Sequence, residues 1–223
     1  MFKYLNIALL ILVGITASAG TARAATEFLV SWRANTFVDA GYAGKILPTH
    51  GSRVSLAFEL LENGKPADIS KNEVKWFIDG NKFDSGIGKR MSVLNLPTLS
   101  SNESANIKIL VRQYRGADIE KFFTVPVASP EAVIDSRYPQ NIITSGLNNF
   151  TPLFYFWNTN KASNLLVSWT SGDADSQQLN GDNILQLSIP AGAANTQLQL
   201  SLTAKNPERE FETANAEINL RIQ

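Results

Sequence analysis

Residues that could do chemistry are few and scattered along the chain. His50 is the single histidine in 223 residues, and there is no cysteine. One histidine without cysteine cannot supply an ordinary zinc ligand set, and no Gly-x-Ser-x-Gly sequence marks a nucleophilic serine. The acidic residues lie in turns and on polar strand faces, without an aromatic-flanked pair of the glycosidase kind. We therefore predict no enzyme activity and no cofactor, with a structural or solvent-facing role for His50.

Three carboxylates do lie near one another in a single turn, at Asp173, Asp175 and Asp182, with Gly172 and Gly181 close by. Oxygen-rich loops of this kind can hold calcium. The segment lacks the glycine and the closing glutamate that an EF-hand loop requires at fixed positions. We interpret the three aspartates as solvated turn residues and keep a calcium site as the alternative.

The remaining candidates are aromatic. In Leu153-Phe154-Tyr155-Phe156-Trp157 every residue is apolar or aromatic, so both faces of this predicted strand are apolar. One interpretation is a strand buried on both sides, through contact with a neighbouring domain or the preceding loop. The other is that Phe154 and Phe156 form a surface strip that binds a protein or a glycan.

Short alternating runs position these residues. Residues 54–60 alternate apolar and polar side chains, and residues 216–222 do so most regularly. Alternation with period two is typical of strands with one buried face. Such runs recur about every eight to twelve residues with turn residues between them and no helical period, which predicts an all-β sandwich fold.

The chain also contains an internal repeat. Trp76 and Trp169 lie 93 residues apart, and each is followed 21 residues later by a proline, Pro97 or Pro190. Allowing two extra residues in the first copy, the pattern continues with Ile107, Ile109 and Val111 answered by Leu198, Leu200 and Leu202. The repeat predicts two similar β-domains in tandem.

The strand and turn around each tryptophan carry a family resemblance. Val74-Lys75-Trp76-Phe77-Ile78-Asp79-Gly80 and Leu166-Val167-Ser168-Trp169-Thr170-Ser171-Gly172-Asp173 resemble bacterial immunoglobulin-like and PKD-like repeat domains of exported surface proteins. The resemblance implies two immunoglobulin-like sandwiches, each with a tryptophan packed between its sheets. It also implies a role as spacer, stalk or adhesive module, although the paired cysteines of antibody domains are missing.

The N-terminus has the pattern of an export signal. Lys3 is followed by the apolar run Ile7–Ala19 and by Ala22-Arg23-Ala24, a small-x-small cleavage site. We expect cleavage after Ala24 or Ala25, and an uncleaved membrane anchor is the alternative. Without Lys3 and Arg23 the 20 basic residues fall to 18 against 20 acidic ones, a net charge of −2, which gives no electrostatic attraction for nucleic acid.

These patterns predict a signal peptide at 1–25 and immunoglobulin-like sandwiches at 26–127 and 128–223. Residues 34–51 read as a long ordered loop that belongs to the first domain only, and Pro126 to Pro130 form a short, stiff linker. The predicted function is that of an exported, non-enzymatic interaction module in the periplasm, on the cell surface or outside the cell. Its partner would be a surface protein or a glycan, with membrane contact only through an uncleaved N-terminus. The alternatives are a structural spacer or subunit of a surface assembly, or a carbohydrate-binding accessory protein.

Overall fold

The structure is a computed structural model and describes residues 26–98, 102–172, 177–178, 183–193 and 195–223. The expected signal peptide and the calcium candidates Asp173, Asp175 and Asp182 lie outside these residues. The described part consists of strands and loops with two short 3-10 turns, Pro139–Asn141 and Ala162–Asn164, so the predicted all-β class is confirmed. In this part of the chain, no helix has the length and apolar character needed to span a bilayer.

The N-terminal half forms the first sandwich. The strands in this half are β1 (Thr26–Ala34), β2 (Phe37–Val38), β3 (Arg53–Glu62), β4 (Lys65–Pro66), β5 (Glu73–Ile78), β6 (Asn81–Ile87), β7 (Met91–Asn95), β8 (Ser104–Tyr114) and β9 (Ala117–Pro126). In one antiparallel sheet, β3 pairs with β1 on one side and with β7 and β4 on the other. The facing sheet has the order β6-β5-β8-β9.

The C-terminal half repeats this arrangement. Its strands are β10 (Glu131–Asp135), β11 (Ile142–Ile143), β12 (Gly146–Trp157), β13 (Leu166–Ser171), β14 (Gln177–Gln178), β15 (Leu185–Ile189), β16 (Gln197–Lys205) and β17 (Thr213–Ile222). One sheet has the order β10-β12-β15, and the other β11-β17-β16-β13-β14. Two tandem immunoglobulin-like sandwiches therefore make up the described chain.

Each sandwich has its own apolar core with a tryptophan in it. Trp76 and Trp169 are both buried, in separate clusters of core residues. The indole N–H of Trp76 donates to the Lys89 carbonyl at 3.4 Å, and that of Trp169 donates to the Asn183 carbonyl at 3.0 Å. Each large ring thus fills the space between two sheets while its one polar atom has a partner. The equivalence of the two tryptophans is confirmed.

The predicted alignment beyond the tryptophans is wrong by two residues. Trp76 lies opposite Ile109 on β8, and Trp169 lies opposite Leu202 on β16. Both pairs are 33 positions apart, so Ile107, Ile109 and Val111 correspond to Leu200, Leu202 and Ala204 with no inserted residues. A shift of two residues keeps every side chain on the same strand face. The alternation of apolar residues could not distinguish the two registers, and the strand pairing does.

Residues 35–51, which we call the junction segment, do not belong to the first domain only, as was predicted for the long ordered loop at 34–51. Its strand β2 pairs with Tyr155 and Trp157 of β12, in the second sandwich. β2 lies on the side of β12 away from β10, the position that β4 occupies beside β3 in the first sandwich. The ring of Phe37 packs against the second core. A segment of the first half thus completes a sheet of the second.

Candidate functional site

The two sandwiches are connected by more than the linker. The Pro48 carbonyl accepts a hydrogen bond from the Ala128 N–H at 2.8 Å. The His50 carbonyl accepts another from the Asn158 side-chain amide at 2.9 Å. Together with the β2–β12 pairing, these bonds join the junction segment to both the linker and the second sandwich. The relative position of the two sandwiches is therefore held by backbone hydrogen bonds as well as by the short linker.

Asp39 extends this pairing by one residue. Its N–H donates to the Phe154 carbonyl at 2.9 Å, and its Oδ2 accepts from the Phe154 N–H at 2.5 Å. Burial raises the pKa of the Asp39 carboxyl, and the hydrogen bond from Phe154 partly opposes that rise. Both polar backbone groups of Phe154, at the free side of β12, are satisfied by one residue of the first half.

Phe154 and Phe156 do not share a face. Phe154 is 1% exposed and packs in the second core, with its ring 6.2 Å from that of Trp157. The backbone is irregular at Phe156, where φ is +62° and the register with β2 shifts. This shift lets Phe154 and Trp157 both enter the core and places Phe156 against Tyr42 of the junction segment, 5.5 Å from ring to ring.

Phe156 is 5% exposed, so the chain itself covers both candidate rings. The ring of Phe156 contacts Tyr42 of the junction segment and the neighbouring Tyr155. A role for these rings in binding another molecule stays a prediction.

A groove of about 610 Å³ lies where the two sandwiches meet. Residues of the first sandwich, the linker and the second sandwich all line it: Thr49, His50, Thr98, Ser129, Pro130, Asn158 and the turn 209–213. We call it the junction groove. Its size falls in the range of small-molecule and peptide sites, and such sites often lie between domains.

The turn between β16 and β17 forms one wall of the groove and is braced by Glu212. This carboxylate is buried and accepts from the Asn158 N–H and from the Asn206 amide, both at 2.6 Å. Burial raises the pKa of Glu212, while these hydrogen bonds and the Arg209 charge oppose that rise. Since Asn158 also bonds to His50, one hydrogen-bonded network joins the turn to the junction segment.

Phe211 follows in the same turn and is 69% exposed. An aromatic ring that is open to water beside a concave, largely apolar groove is a feature of binding surfaces. His50 lines the same groove, but no described cysteine, histidine or acidic side chains converge in a group of three that could hold a metal ion. The junction groove and the exposed Phe211 ring are suited to binding a ligand through non-covalent contacts.

The sequence interpretation placed the candidate site on β12 and missed the turn that lines the groove. The one sequence signal for this turn was Phe211, a large apolar residue that follows the charged run Glu208-Arg209-Glu210. Glu212 gave no signal, because an acidic residue in a turn is ordinarily solvated. Its buried carboxylate is paired with the N–H of Asn158, which lies 54 residues earlier.

Comparisons with known proteins give structural likeness only. No protein-family model and no curated protein matches the chain. Among solved structures, the fibronectin(III)-like modules of Clostridium thermocellum CbhA match at 13% identity with a TM-score of 0.32, over 87% of this chain and 95% of theirs. Three N-terminal domains of the bacteriophage RB49 outer capsid protein Hoc match at 10% identity with a TM-score of 0.33, over 89% and 70%. The fold assignment rests on the strand pairing described above.

Proposed function

We propose that this chain is an exported, non-enzymatic interaction module of the cell surface or envelope and that it binds its partner at the junction groove. The observation that carries the proposal is the exposure of Phe211 at a groove lined by both sandwiches. Phe211 differs from the other exposed phenylalanine, Phe122, in lining this groove, so its ring is available to a ligand bound there. Aromatic anchors beside pockets are typical of interface centres.

The junction segment supports this function because it fixes the groove before any partner arrives. Its pairing with β12 and its bonds to Ala128 and Asn158 link the two walls. A site that is already formed loses less conformational freedom on binding, which raises its affinity. Two sandwiches on a free linker would have to order this groove at each encounter.

Export rests on the pattern at Lys3, the apolar run and Ala22-Arg23-Ala24. Mass spectrometry of the protein recovered from its native host should find an N-terminus at Ala25 or Thr26. An intact Met1 on a membrane-bound chain would contradict cleavage and favour an anchored module.

The binding function is tested by comparing two exposed phenylalanines. Phe211→Ala removes the ring beside the groove, and Phe122→Ala removes a ring that is 62% exposed on the first sandwich. Neither change should lower the melting temperature much, because neither ring is part of a core. We expect Phe211→Ala to weaken binding of the purified protein to isolated envelopes of the native host, with Phe122→Ala binding like wild type. Equal binding by all three proteins would overturn the proposal.

A second candidate, a subunit of a surface assembly, is favoured by one edge strand. In the second sandwich β11 pairs with β17 and covers that sheet edge. In the first sandwich the equivalent edge strand is β9, which pairs only with β8 among the described residues. The junction segment pairs with β12 instead of covering this edge. An open edge strand can accept a strand from another chain.

Lys121 argues against the addition of a strand at β9. It alternates with the half-buried Ile119 and Phe123 on the inward side of β9 and yet is exposed, and an inward charge of this kind discourages strand addition. The envelope experiment separates the two candidates: loss of binding with Phe122→Ala alone would favour assembly through β9.

A further inference from the structure

Three arginines that form no ion pair with another described residue lie at or next to the junction groove. Arg33 and Arg53 line a cavity of about 280 Å³, and Arg53 and Arg209 line a neighbouring cavity of about 270 Å³. Asn35 lines both cavities, so they adjoin, and Arg209 also lines the junction groove. We call these two cavities the arginine groove. It runs from the outer face of the first sandwich to the turn of the second.

The strand register places two of these charges on one sheet face. Arg33 lies opposite Ser55, and Arg53 lies opposite Asn95. Since residues 53 and 55 point to the same side of β3, Arg33 and Arg53 are diagonal neighbours, roughly 7–8 Å apart at the backbone. Like charges at such positions repel each other, so this pair gives no stability to the fold.

Acidic residues do not relieve that repulsion. Neither cavity has an aspartate or glutamate among its lining residues, and the described ion pairs include none of the three arginines. Arg209 is near the Glu212 carboxylate, with which it shares the junction groove, whereas Arg33 and Arg53 have no acidic residue in the cavity that they line. Guanidinium groups that converge on a concave site, two of them without an acidic neighbour in the cavity, fit an anion from outside the chain.

Apart from Ala34 and Gly51, the other lining groups are neutral and polar. They are amide and hydroxyl side chains from both sandwiches: Asn35, Asn95, Asn158, Asn160, Ser55 and Thr159. Amides and hydroxyls both donate and accept hydrogen bonds, which suits a ligand rich in hydroxyl groups. The combination therefore fits a molecule that carries anionic groups on a hydroxylated skeleton.

We propose that the arginine groove binds an acidic oligosaccharide, with the guanidinium groups of Arg53 and Arg209 on its carboxylate or sulfate groups and the amides on its hydroxyls. The inference rests on the proposed function, because it names the chemical class of the partner at the same junction. Arginine recognises both anions through paired N–H donors. Ligand contact with both sandwiches would explain why their relative position is fixed.

Other polyanions fit the groove less well. Single-stranded nucleic acid needs aromatic platforms for its bases, and no aromatic residue lines either cavity. An acidic protein would require a buried apolar centre, whereas these lining residues are charged or polar apart from Ala34 and Gly51.

The test uses titration calorimetry with trigalacturonic acid and with a sulfated dextran fragment. The matched uncharged probes are the methyl ester of trigalacturonic acid and an unsulfated dextran of the same length as the sulfated fragment. We expect the full chain to bind at least one acidic probe, more weakly at higher salt, and not to bind the uncharged forms. The two acidic probes show whether carboxylate or sulfate is preferred. Failure to bind either probe, or equal binding of the uncharged forms, overturns the proposal.

Variants locate the site. Arg53→Gln and Arg209→Gln should each weaken binding of the acidic probe about tenfold, the loss expected for a charged hydrogen bond. Arg221→Gln, which removes an exposed arginine of β17, should bind like wild type. Similar losses in all three variants would show a diffuse charge effect and overturn the assignment. Tighter binding of an oligonucleotide or a polyglutamate than of either saccharide would overturn the choice of ligand class.

Failure of the saccharide inference can be distinguished from failure of the proposed function by envelope binding of the three variants. If Phe211→Ala loses envelope binding while Arg53→Gln and Arg209→Gln keep it, the saccharide inference fails and the interaction module stands. If none of the three variants loses envelope binding, both fail.

Discussion

Asp39 and Phe154 exchange two hydrogen bonds across the junction of the sandwiches, one through the Asp39 backbone and one through its side chain. Two residues that are 115 positions apart thus pair like neighbours in one sheet. The pairing couples the first sandwich to the edge of the second. Stability of the second sandwich should therefore depend on a residue that lies outside its own repeat.

Replacement of that residue tests the coupling. Asp39→Ala leaves the Phe154 N–H without its acceptor, a loss of about 1–3 kcal/mol when the group stays buried. We expect calorimetric melting to show a lower transition for the second sandwich and less overlap between the two transitions. Asp39→Asn keeps an acceptor oxygen and should lose less. Asp68→Ala, at an exposed aspartate that accepts a local hydrogen bond from the Ser70 N–H, is the control; equal melting of both alanine variants would refute the coupling.

Substitutions of the two core tryptophans should destabilise different sandwiches. Trp76→Ala and Trp169→Ala each leave a large cavity in one core, at a cost of about 3–5 kcal/mol. Since the cores are distinct clusters, each change should lower mainly the melting of its own sandwich. Hydrogen exchange, measured peptide by peptide, should locate the loss of protection. Wild-type melting in both variants would mean that the rings do not fill the cores.

The fold could be read from the sequence because it depends on local alternation and on a repeat. Val54, Leu56 and Leu60 are buried as their spacing predicts. The junction could not be read in this way, because β2 is only two residues long and joins a strand more than a hundred positions away. Nor could the irregular backbone at Phe156 be foreseen, since regular alternation would put Phe154 and Trp157 on opposite faces. That irregularity is why the predicted aromatic strip divides between a core and the junction segment.

Titration of Glu212 should make the stability of the folded chain depend on pH in one direction. Burial raises its pKa in the folded state above the ordinary value of 4.5, so the folded chain holds this proton more tightly than the unfolded chain. The resulting stabilisation is complete below pH 4.5 and is lost as the pH rises through the folded-state pKa. The melting temperature of wild type relative to Glu212→Gln should therefore rise as the pH is lowered.

Glu210→Gln, at an exposed neighbour in the same turn, shows how much of any pH effect comes from the charge of the turn. The opposite slope for Glu212 would mean that Asn158, Asn206 and Arg209 hold its carboxylate ionised in spite of burial.

Substitutions at Phe154 and Phe156 of β12 should have different effects. Phe154→Ser places a hydroxyl in the second core and should lower the stability of that sandwich by several kcal/mol, as about 1.5–3 kcal/mol of apolar burial is lost together with packing. Phe156→Ser removes the contact with Tyr42 and should loosen the junction segment while leaving the core intact. Hydrogen exchange of residues 35–51 should rise in the second variant more than in the first. If Phe156→Ser leaves exchange and melting unchanged but weakens envelope binding, Phe156 acts on a partner molecule; if it only unfolds the second sandwich, its ring belongs functionally to the core.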